Sequence, residues 1–257
     1  MAPTLTSHPT LRIIPEPLTP EAFAPFGTAI RCPLPRDLAS APSIASLPPH
    51  DPTPVVANQS SALKYSPISP LLDRYPGQCP SGRPSAARMS MFSCFPRKLR
   101  SAPSPGSKDS ETSSVFDVRI LERHPFTTQT FTPLDLSSQT RVADADEPYY
   151  LVVVAPTLKG QTATAETPAG TVTIRDPPDL ENVKAFVARG GQAVTYGVGT
   201  WHAPMVVLGS RRVDFVVVQF ANGVDDEDVQ EAAFGEGIVV ELGKGGAQRR
   251  AGGGSKL

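Results

Sequence analysis

Short runs of Val, Ile, Phe, Tyr and Thr, separated by Gly, Pro, Asp or Ser, recur along most of the chain. Runs of this length and composition are typical of β-strands bounded by turns. In Val213–Phe220 both alternating faces are apolar, which predicts a strand buried between two packed sheets. We predict nine strands: Met89–Phe95, Val115–Leu121, Thr128–Phe131, Tyr149–Val154, Thr171–Ile174, Gln192–Tyr196, Met205–Leu208, Val213–Phe220 and Ile238–Leu242.

Two segments begin as helices do. Thr19 is a candidate N-cap with a proline at the first helical position, and this helix is expected to continue to Phe26. Asp179 is a candidate cap for a second helix, whose apolar residues recur at helical spacing until Gly190. Many short strands with few helices predict a mainly β fold, namely a double-sheet β-barrel or jelly roll.

The distribution of proline divides the chain. Its 257 residues include 29 prolines, and these cluster in the stretch from Pro33 to Pro54. The stretch from Arg100 to Ser114 is rich in Ser, Pro and charged residues. We therefore expect one catalytic domain over residues 1–242, with disordered insertions near 33–54 and 100–114. The Gly-rich residues 243–257 are expected to form a flexible tail.

Charge and composition exclude several classes of protein. The net charge is −1 and the pI is near 6.4, so no basic surface for nucleic acid or anionic lipid is expected. No run of 18 apolar residues suggests a membrane span, and residues 1–10 lack the features of a secretory signal. The three cysteines are widely spaced, which favours a reducing, intracellular compartment.

The sequence closes on Ser255-Lys256-Leu257, preceded by three glycines. A C-terminal S-K-L is an address read by the peroxisomal import receptor, and the glycines would keep it accessible. A peroxisomal location is therefore expected, with the cytoplasm as the alternative.

Candidate chemistry centres on two of the four histidines. His8 and His50 lie in proline-rich segments, whereas His124 and His202 lie beside predicted strands. His202 follows a Gly-rich turn in the sequence G-Q-A-V-T-Y-G-V-G-T-W-H, where positive φ is expected at both turn glycines, Gly197 and Gly199. The neighbouring Trp201 is expected to pack in the barrel wall, and Arg123 is expected to be solvated.

The spacing around both histidines resembles the two cupin motifs. The segment that ends at His202 resembles the second motif, and Glu122-Arg123-His124 followed by Gln129 resembles the first. In metal cupins these positions bind one divalent metal. The resemblance therefore makes His124, Gln129, His202 and Glu122 candidate ligands, a set that can hold a transition metal. A divalent metal is an open expectation, since Glu122 and Gln129 depart from the usual residues.

Longer blocks resemble a particular family, the ureidoglycolate lyases in their fungal form. LERHP followed by TQ-x-F-x-P-L, and the sequence GTWHAP, are specific features of this resemblance. The blocks are Ile14–Ile30, Leu121–Leu134, Tyr150–Ala155, Pro178–Phe186 and Gly199–Pro204. The resemblance implies a cupin-like barrel, a homodimer, and cleavage of ureidoglycolate into glyoxylate and urea in the breakdown of allantoin and purines.

Such a reaction needs a base, an acid and an anchor for a carboxylate. His202 or His124 can act as the base while the other polarises or protonates the substrate, and Glu122 can orient His124. Arg97 and Lys64 are candidate anchors. The predicted substrate-binding residues are Arg97, Lys64, Asn58 and Gln129.

Three other functions remain open. The same fold suits a metal-dependent dioxygenase or isomerase, which a chelator would inactivate. It also suits a non-catalytic ligand-binding protein, because fold does not determine function. A true amidohydrolase would release ammonia from the urea group instead of urea.

Overall fold

The structure is a computed structural model that describes residues 1–35, 37–103, 112–134, 149–209 and 211–242. Strands dominate these ranges, so the prediction of a mainly β fold is confirmed. Eight of the nine predicted strands are present with small shifts at their ends, whereas the predicted strand Val115–Leu121 is interrupted at Val118 and Arg119 and divides into two strands of different sheets. The two short α-helices are α1 (Pro20–Phe23) and α2 (Asp225–Asp228). The strands are β1 Thr4–Leu5, β2 Leu11–Ile13, β3 Glu16–Pro17, β4 Gly27–Ile30, β5 Val55–Ala57, β6 Ala62–Lys64, β7 Ala86–Cys94, β8 Arg100–Pro103, β9 Thr112–Asp117, β10 Ile120–Arg123, β11 Gln129–Leu134, β12 Tyr149–Ala155, β13 Thr162–Thr167, β14 Gly170–Arg175, β15 Lys184–Arg189, β16 Ala193–Tyr196, β17 Trp201–His202, β18 Val206–Leu208, β19 Val213–Ala221, β20 Gln230–Ala233 and β21 Ile238–Glu241.

These strands form three sheets and a separate hairpin. The first sheet has ten strands in the order β14-β13-β1-β20-β10-β17-β12-β15-β3, with β18 also paired to β12. The second sheet has the order β4-β16-β11-β19-β7, and the third has the order β2-β21-β9-β8. Strands β5 and β6 pair only with each other. None of the helices in the described ranges has the length and apolar character needed to cross a membrane.

Strand β12 lies between two apolar cores. Its residues Leu151 and Val153 pack in a core with side chains of the third sheet, such as Ile238. The alternate residues Val152 and Val154 pack in a second core with side chains of the second sheet. Successive side chains of a strand point to opposite faces, so the first sheet separates the other two.

Strand β19 was expected to be buried on both faces, and this prediction is wrong. Val213, Phe215 and Val217 are buried against the first sheet, but Val216 and Val218 on the other face are only half-buried. Within the described ranges no sheet packs on that outer face, so packing between two sheets does not explain why its side chains are apolar.

The first predicted helix forms and the second does not. Thr19 caps α1 as predicted, with its Oγ1 accepting a hydrogen bond from the amide of Ala22. Asp179 caps only a short 3₁₀ turn over Leu180–Asn182. The chain then continues as β15, which pairs with β12 along six residues. The paired strand buries Phe186, so the ladder outweighs the helical spacing of the apolar residues.

The predicted insertions differ from one another. Between residues 33 and 54 the described residues contain no strand and one 3₁₀ turn, Ile44–Ser46. The prediction of disorder near 100–114 is wrong at both ends, because β8 and β9 pair with each other there. The Arg100 guanidinium also makes two hydrogen bonds to the carboxylate of Asp117. Residues 104–111 and the predicted tail, 243–257, lie outside the described residues.

Candidate active site

The two imidazoles meet because β10 and β17 are neighbours in the first sheet. Glu122 on β10 lies directly opposite His202 on β17. His124 follows two residues after Glu122, so it projects from the same side of the sheet. The rings of His124 and His202 lie 5.6 Å apart, centroid to centroid, and both side chains are buried. The other two histidines lie elsewhere: His8 contacts the ring of Phe234 and His50 contacts the ring of Tyr65.

Backbone carbonyls fix the tautomer of both histidines. The Nδ1 of His124 lies 2.6 Å from the carbonyl oxygen of Asp228, and the Nδ1 of His202 lies 3.0 Å from that of Thr200. A carbonyl oxygen can only accept a hydrogen bond, so each Nδ1 carries the proton. With the proton on Nδ1, a neutral ring carries a lone pair on Nε2, and neither buried Nε2 has a hydrogen-bond partner.

Both lone pairs converge with a carboxylate. The Oε1 of Glu122 lies 3.4 Å from the Nε2 of His202, and the ligating atoms of Glu122, His124 and His202 all lie within 4.8 Å of one another. The Oε1 of Gln129 is buried and also lacks a partner. Several acceptors with no donor between them repel one another, so this arrangement fits a cation, either a proton or a metal ion.

The protonation states follow from burial and from these neighbours. Burial, together with the nearby His202, lowers the pKa of His124 to about 4. Burial opposes ionisation of Glu122, but the adjacent imidazole of His202 and the nearby imidazole of His124 favour the carboxylate and outweigh burial, so the pKa of Glu122 lies below the usual range. At neutral pH Glu122 is therefore a carboxylate and His124 is a neutral imidazole.

The second sheet covers the two imidazoles with residues that sequence reasoning missed. The ring of Tyr196 stacks on His202, with centroids 3.8 Å apart and planes at 12°. Gln129 donates from Nε2 to the Oε1 of Gln219 at 2.6 Å. A glutamine within the apolar run of β19 is the one sequence feature that could have drawn attention to Gln219.

The Gly-rich turn before His202 is tied to the same site. Gly199 has a positive φ of 73°, as predicted, and its amide donates to the carbonyl of His124. Gly197 does not have a positive φ, so that prediction is wrong. A Cβ on Gly197 would lie 3.2 Å from the Thr200 Oγ1 and 3.3 Å from the Phe26 carbonyl oxygen, so close packing explains the glycine.

The structure does not bring the predicted carboxylate anchors to the imidazoles. Arg97 lines a groove with Phe116, Ala203 and Pro204. Ala203 and Phe116 belong to the core shared with the third sheet, whereas His202 stacks on Tyr196 of the second sheet. Arg97 therefore lies on the other side of the first sheet from the imidazoles.

Lys64 and Asn58 lie on the exposed hairpin that β5 and β6 form. The backbone carbonyl of Asn58 accepts a hydrogen bond from Ser61 within the turn. Of the four predicted substrate-binding residues, only Gln129 lies beside the histidines.

Two neighbours of the site have structural roles. Trp201 is fully buried, as predicted, and donates from Nε1 to the carbonyl of Asp176. Arg123 was expected to be solvated, and this is wrong. Its guanidinium is buried over the Trp201 ring and donates to Gln230 and to the carbonyls of Arg175 and Asp176.

Comparison with known proteins gives one consistent family. The family model described as "Ureidoglycolate lyase" matches residues 10–241. The chain is 32% identical over 219 residues to the ureidoglycolate lyase of Schizosaccharomyces pombe, covering 85% of this chain and 90% of the relative. It is 31% identical over 232 residues to that of Saccharomyces cerevisiae, covering 88% and 96%. A bacterial relative of the same name, from Burkholderia mallei, is 29% identical over 223 residues, covering 87% and 89%. The resemblance seen in the sequence blocks is thus confirmed, and the chain belongs to the ureidoglycolate lyase family.

Proposed function

We propose that this chain is a ureidoglycolate lyase that cleaves ureidoglycolate into glyoxylate and urea, in the breakdown of allantoin and purines. The observation that carries the proposal is the convergence of Glu122, His124 and His202 in one buried group. The names of the fungal and bacterial relatives support the substrate.

The reaction moves one proton and breaks one bond. The substrate is HO–CH(COO⁻)–NH–CO–NH₂. A base removes the hydroxyl proton, the C–O bond becomes a carbonyl, and the C–N bond breaks as the urea nitrogen takes a proton. Atoms balance without added water. Such a reaction needs one group that accepts a proton at the oxygen and returns a proton at the nitrogen.

We assign the base to His202 and the polarising role to His124. Each presents an unprotonated Nε2 on the same side of the first sheet. The Glu122 carboxylate, 3.4 Å from the Nε2 of His202, would stabilise the imidazolium that forms when His202 takes the proton. His124 has a lowered pKa, so it is a weak proton acceptor.

We also propose that the site binds a divalent metal ion, a state in which the Nε2 of His202 is a ligand and no longer acts as the base. The buried Nε2 atoms of His124 and His202 without partners fit this group, and Glu122 and the Oε1 of Gln129 complete the set. When bound, such an ion supplies Lewis-acid stabilisation of negative charge on the substrate oxygens. The carbonyl partners of both Nδ1 atoms give the orientation that metal-bound histidines usually have.

Metal binding has a test that does not depend on turnover. Adding Zn²⁺, Mn²⁺ or Ni²⁺ to chelator-treated protein should raise its midpoint of thermal unfolding, because a ligand that binds the folded state stabilises it. The same ions should leave the midpoint of a His124→Ala, His202→Ala double variant unchanged. An equal rise in both proteins would contradict metal binding at this site.

We propose a homodimer that covers the outer face of the second sheet. Strand β7 ends this sheet, and its Met89 and Met91 are 76% and 57% exposed. They pair with Val218 and Val216, so the four apolar side chains share the face that turns away from the first sheet. An apolar sheet face of this kind is typical of a protein interface, and a second copy would explain the apolar outer face of β19.

We further propose a peroxisomal location, with the cytoplasm as the alternative. Ser255-Lys256-Leu257 supports it, because this tripeptide matches the address that the import receptor reads. A fluorescent protein fused in front of the whole chain should collect in peroxisomes, and deleting these three residues should release it. An unchanged location after the deletion would remove the proposal.

Product analysis tests the proposed activity against its rivals. Purified protein incubated with ureidoglycolate should release urea and glyoxylate in equal amounts and no ammonia. Release of ammonia would favour an amidohydrolase instead. A metal-dependent dioxygenase would consume oxygen, and a non-catalytic binding protein would release nothing.

A further inference from the structure

The acceptor that fixes His124 belongs to a residue whose own side chain is tightly held. The carbonyl oxygen of Asp228 accepts the Nδ1 proton of His124 at 2.6 Å. Its carboxylate accepts hydrogen bonds from the amides of Asn222 and Gly223, each at 2.8 Å, and from the hydroxyl of Tyr75 at 2.7 Å. All three donors thus act on the one residue whose carbonyl holds the imidazole.

These hydrogen bonds close the loop that carries Asp228. The chain leaves β19 at Ala221 and reaches Asp228 at the end of α2. Because the Asp228 carboxylate binds the amides that begin this segment, the two ends of the loop are joined. The Asp228 amide also donates to the carbonyl of Val224. Hydrogen bonds therefore restrain Asp228 through both its carboxylate and its backbone amide, and these fix the position of its carbonyl.

Tyr75 connects this loop to the backbone segment that follows His124. Its ring is buried, and its hydroxyl lies 3.2 Å from the Glu227 carbonyl as well as 2.7 Å from the Asp228 carboxylate. Its own amide donates to the carboxylate of Asp73, which forms a β-bridge with Thr127. Thr127 lies three residues after His124, so Tyr75 ties both backbone segments around that imidazole together.

We propose that Asp228 is a positioning residue: its backbone carbonyl keeps His124 in the tautomer with the proton on Nδ1, and Tyr75 holds Asp228 in place. A neutral imidazole carries one proton, so a ring protonated on Nε2 would turn its Nδ1 lone pair toward the Asp228 carbonyl oxygen. It would also lose the free Nε2 lone pair that the proposed chemistry needs. The effect on turnover rests on the proposed function, whereas the effect on the tautomer does not.

The test compares two substitutions that remove the same charge from α2. Asp228→Asn leaves one carboxamide oxygen for three donors, so at least one loop hydrogen bond is lost. Asp225→Asn is the matched control, because Asp225 is exposed and its side chain makes no hydrogen bond among the described residues. Nitrogen-15 NMR of the imidazole reports the His124 tautomer, and steady-state kinetics with ureidoglycolate report kcat and KM.

Wild type and Asp225→Asn should both show the Nδ1-protonated ring. Asp228→Asn should show a mixture of tautomers and a kcat lowered by up to about 10–100-fold, the loss that follows when the outer partner of a metal-ligating histidine is removed altogether. The KM should change far less. Tyr75→Phe should shift the tautomer in the same direction, which keeps the proposal testable if Asp228→Asn does not fold.

An unchanged His124 tautomer in folded Asp228→Asn and Tyr75→Phe would overturn the proposal, even if both lost stability. If the wild type does not cleave ureidoglycolate and the His124 tautomer still shifts in the two variants, the positioning role is supported. That result would contradict the proposed function alone.

Discussion

The phenol ring of Tyr196 lies flat on the imidazole of His202, 3.8 Å from it and nearly parallel. Tyr196 belongs to the second sheet and His202 to the first, so this contact joins the two walls of the site. It limits the imidazole to one orientation, in which Nε2 faces Glu122.

Replacing Tyr196 with leucine should therefore damage catalysis more than folding. We expect kcat to fall by up to about a hundredfold, the loss that a misplacement of about 1 Å produces. We expect the free energy of unfolding to fall by roughly 1–3 kcal/mol, as for most core substitutions. Tyr150→Leu is the control, because Tyr150 is equally buried but contacts Phe215 and not His202. Similar kcat losses in both variants would contradict the role given to Tyr196.

The buried His124 should make stability depend on pH. Its pKa is about 4 in the folded protein and near 6.5 in the unfolded chain, so between these values the unfolded chain binds more protons. The stabilisation is complete above pH of about 6.5 and is lost as the pH falls toward about 4. At about 1.4 kcal/mol per pKa unit, the loss is on the order of 3 kcal/mol.

Urea unfolding between pH 4 and 7, with a chelator present, measures this effect. His124→Gln should flatten the pH dependence, while His50→Gln should leave it as in wild type. The same slope in wild type and His124→Gln would show that other groups cause it.

Gly27 should be the glycine least tolerant of substitution near the site. It has φ of 151°, and a Cβ there would lie 1.9 Å from the carbonyl oxygen of Thr195, beside Tyr196. Gly27→Ala should cost more than the roughly 1–3 kcal/mol of backbone strain alone, because the β4–β16 pairing must shift. Gly77 also has a positive φ, but a Cβ there meets nothing within 4 Å. Thermal unfolding should therefore rank Gly27→Ala well below Gly77→Ala, and equal midpoints would argue against the clash.

The apolar outer face of the second sheet gives a prediction about assembly. Met91→Lys would place a charge in the proposed dimer interface, where an unpaired charge is costly to bury. We expect light scattering to show a dimer for wild type and a monomer for the variant. Lys184→Met is a control on an exposed residue of another sheet. A wild-type monomer, or a Met91→Lys dimer, would contradict the interface.

Local patterns predicted much of this fold. Alternating apolar runs identified the strands, and the two-residue spacing of Glu122 and His124 correctly put both on one side of a strand. The second helix failed because pairing of β15 with β12, which lies about 30 residues earlier in the chain, outweighed the local spacing of Phe186. Contacts between distant segments are not visible in a local pattern.

The same limit applies to the site. His124 and His202 could be paired from motifs, but Tyr196, Gln219 and Asp228 reach them only through sheet packing and loop closure. Arg97 looked like a suitable anchor by charge alone. Its side of the sheet depends on how the chain passes from β7 to β8, which composition does not reveal.

The most direct test of the account follows urea and glyoxylate released from ureidoglycolate by wild type, His202→Ala and His50→Ala. Wild type and His50→Ala should release both products in equal amounts. His202→Ala should fold as wild type by circular dichroism and lose at least about 10²-fold in kcat, as expected when a general base is removed. Wild-type rates of both products from folded His202→Ala would contradict the central claim.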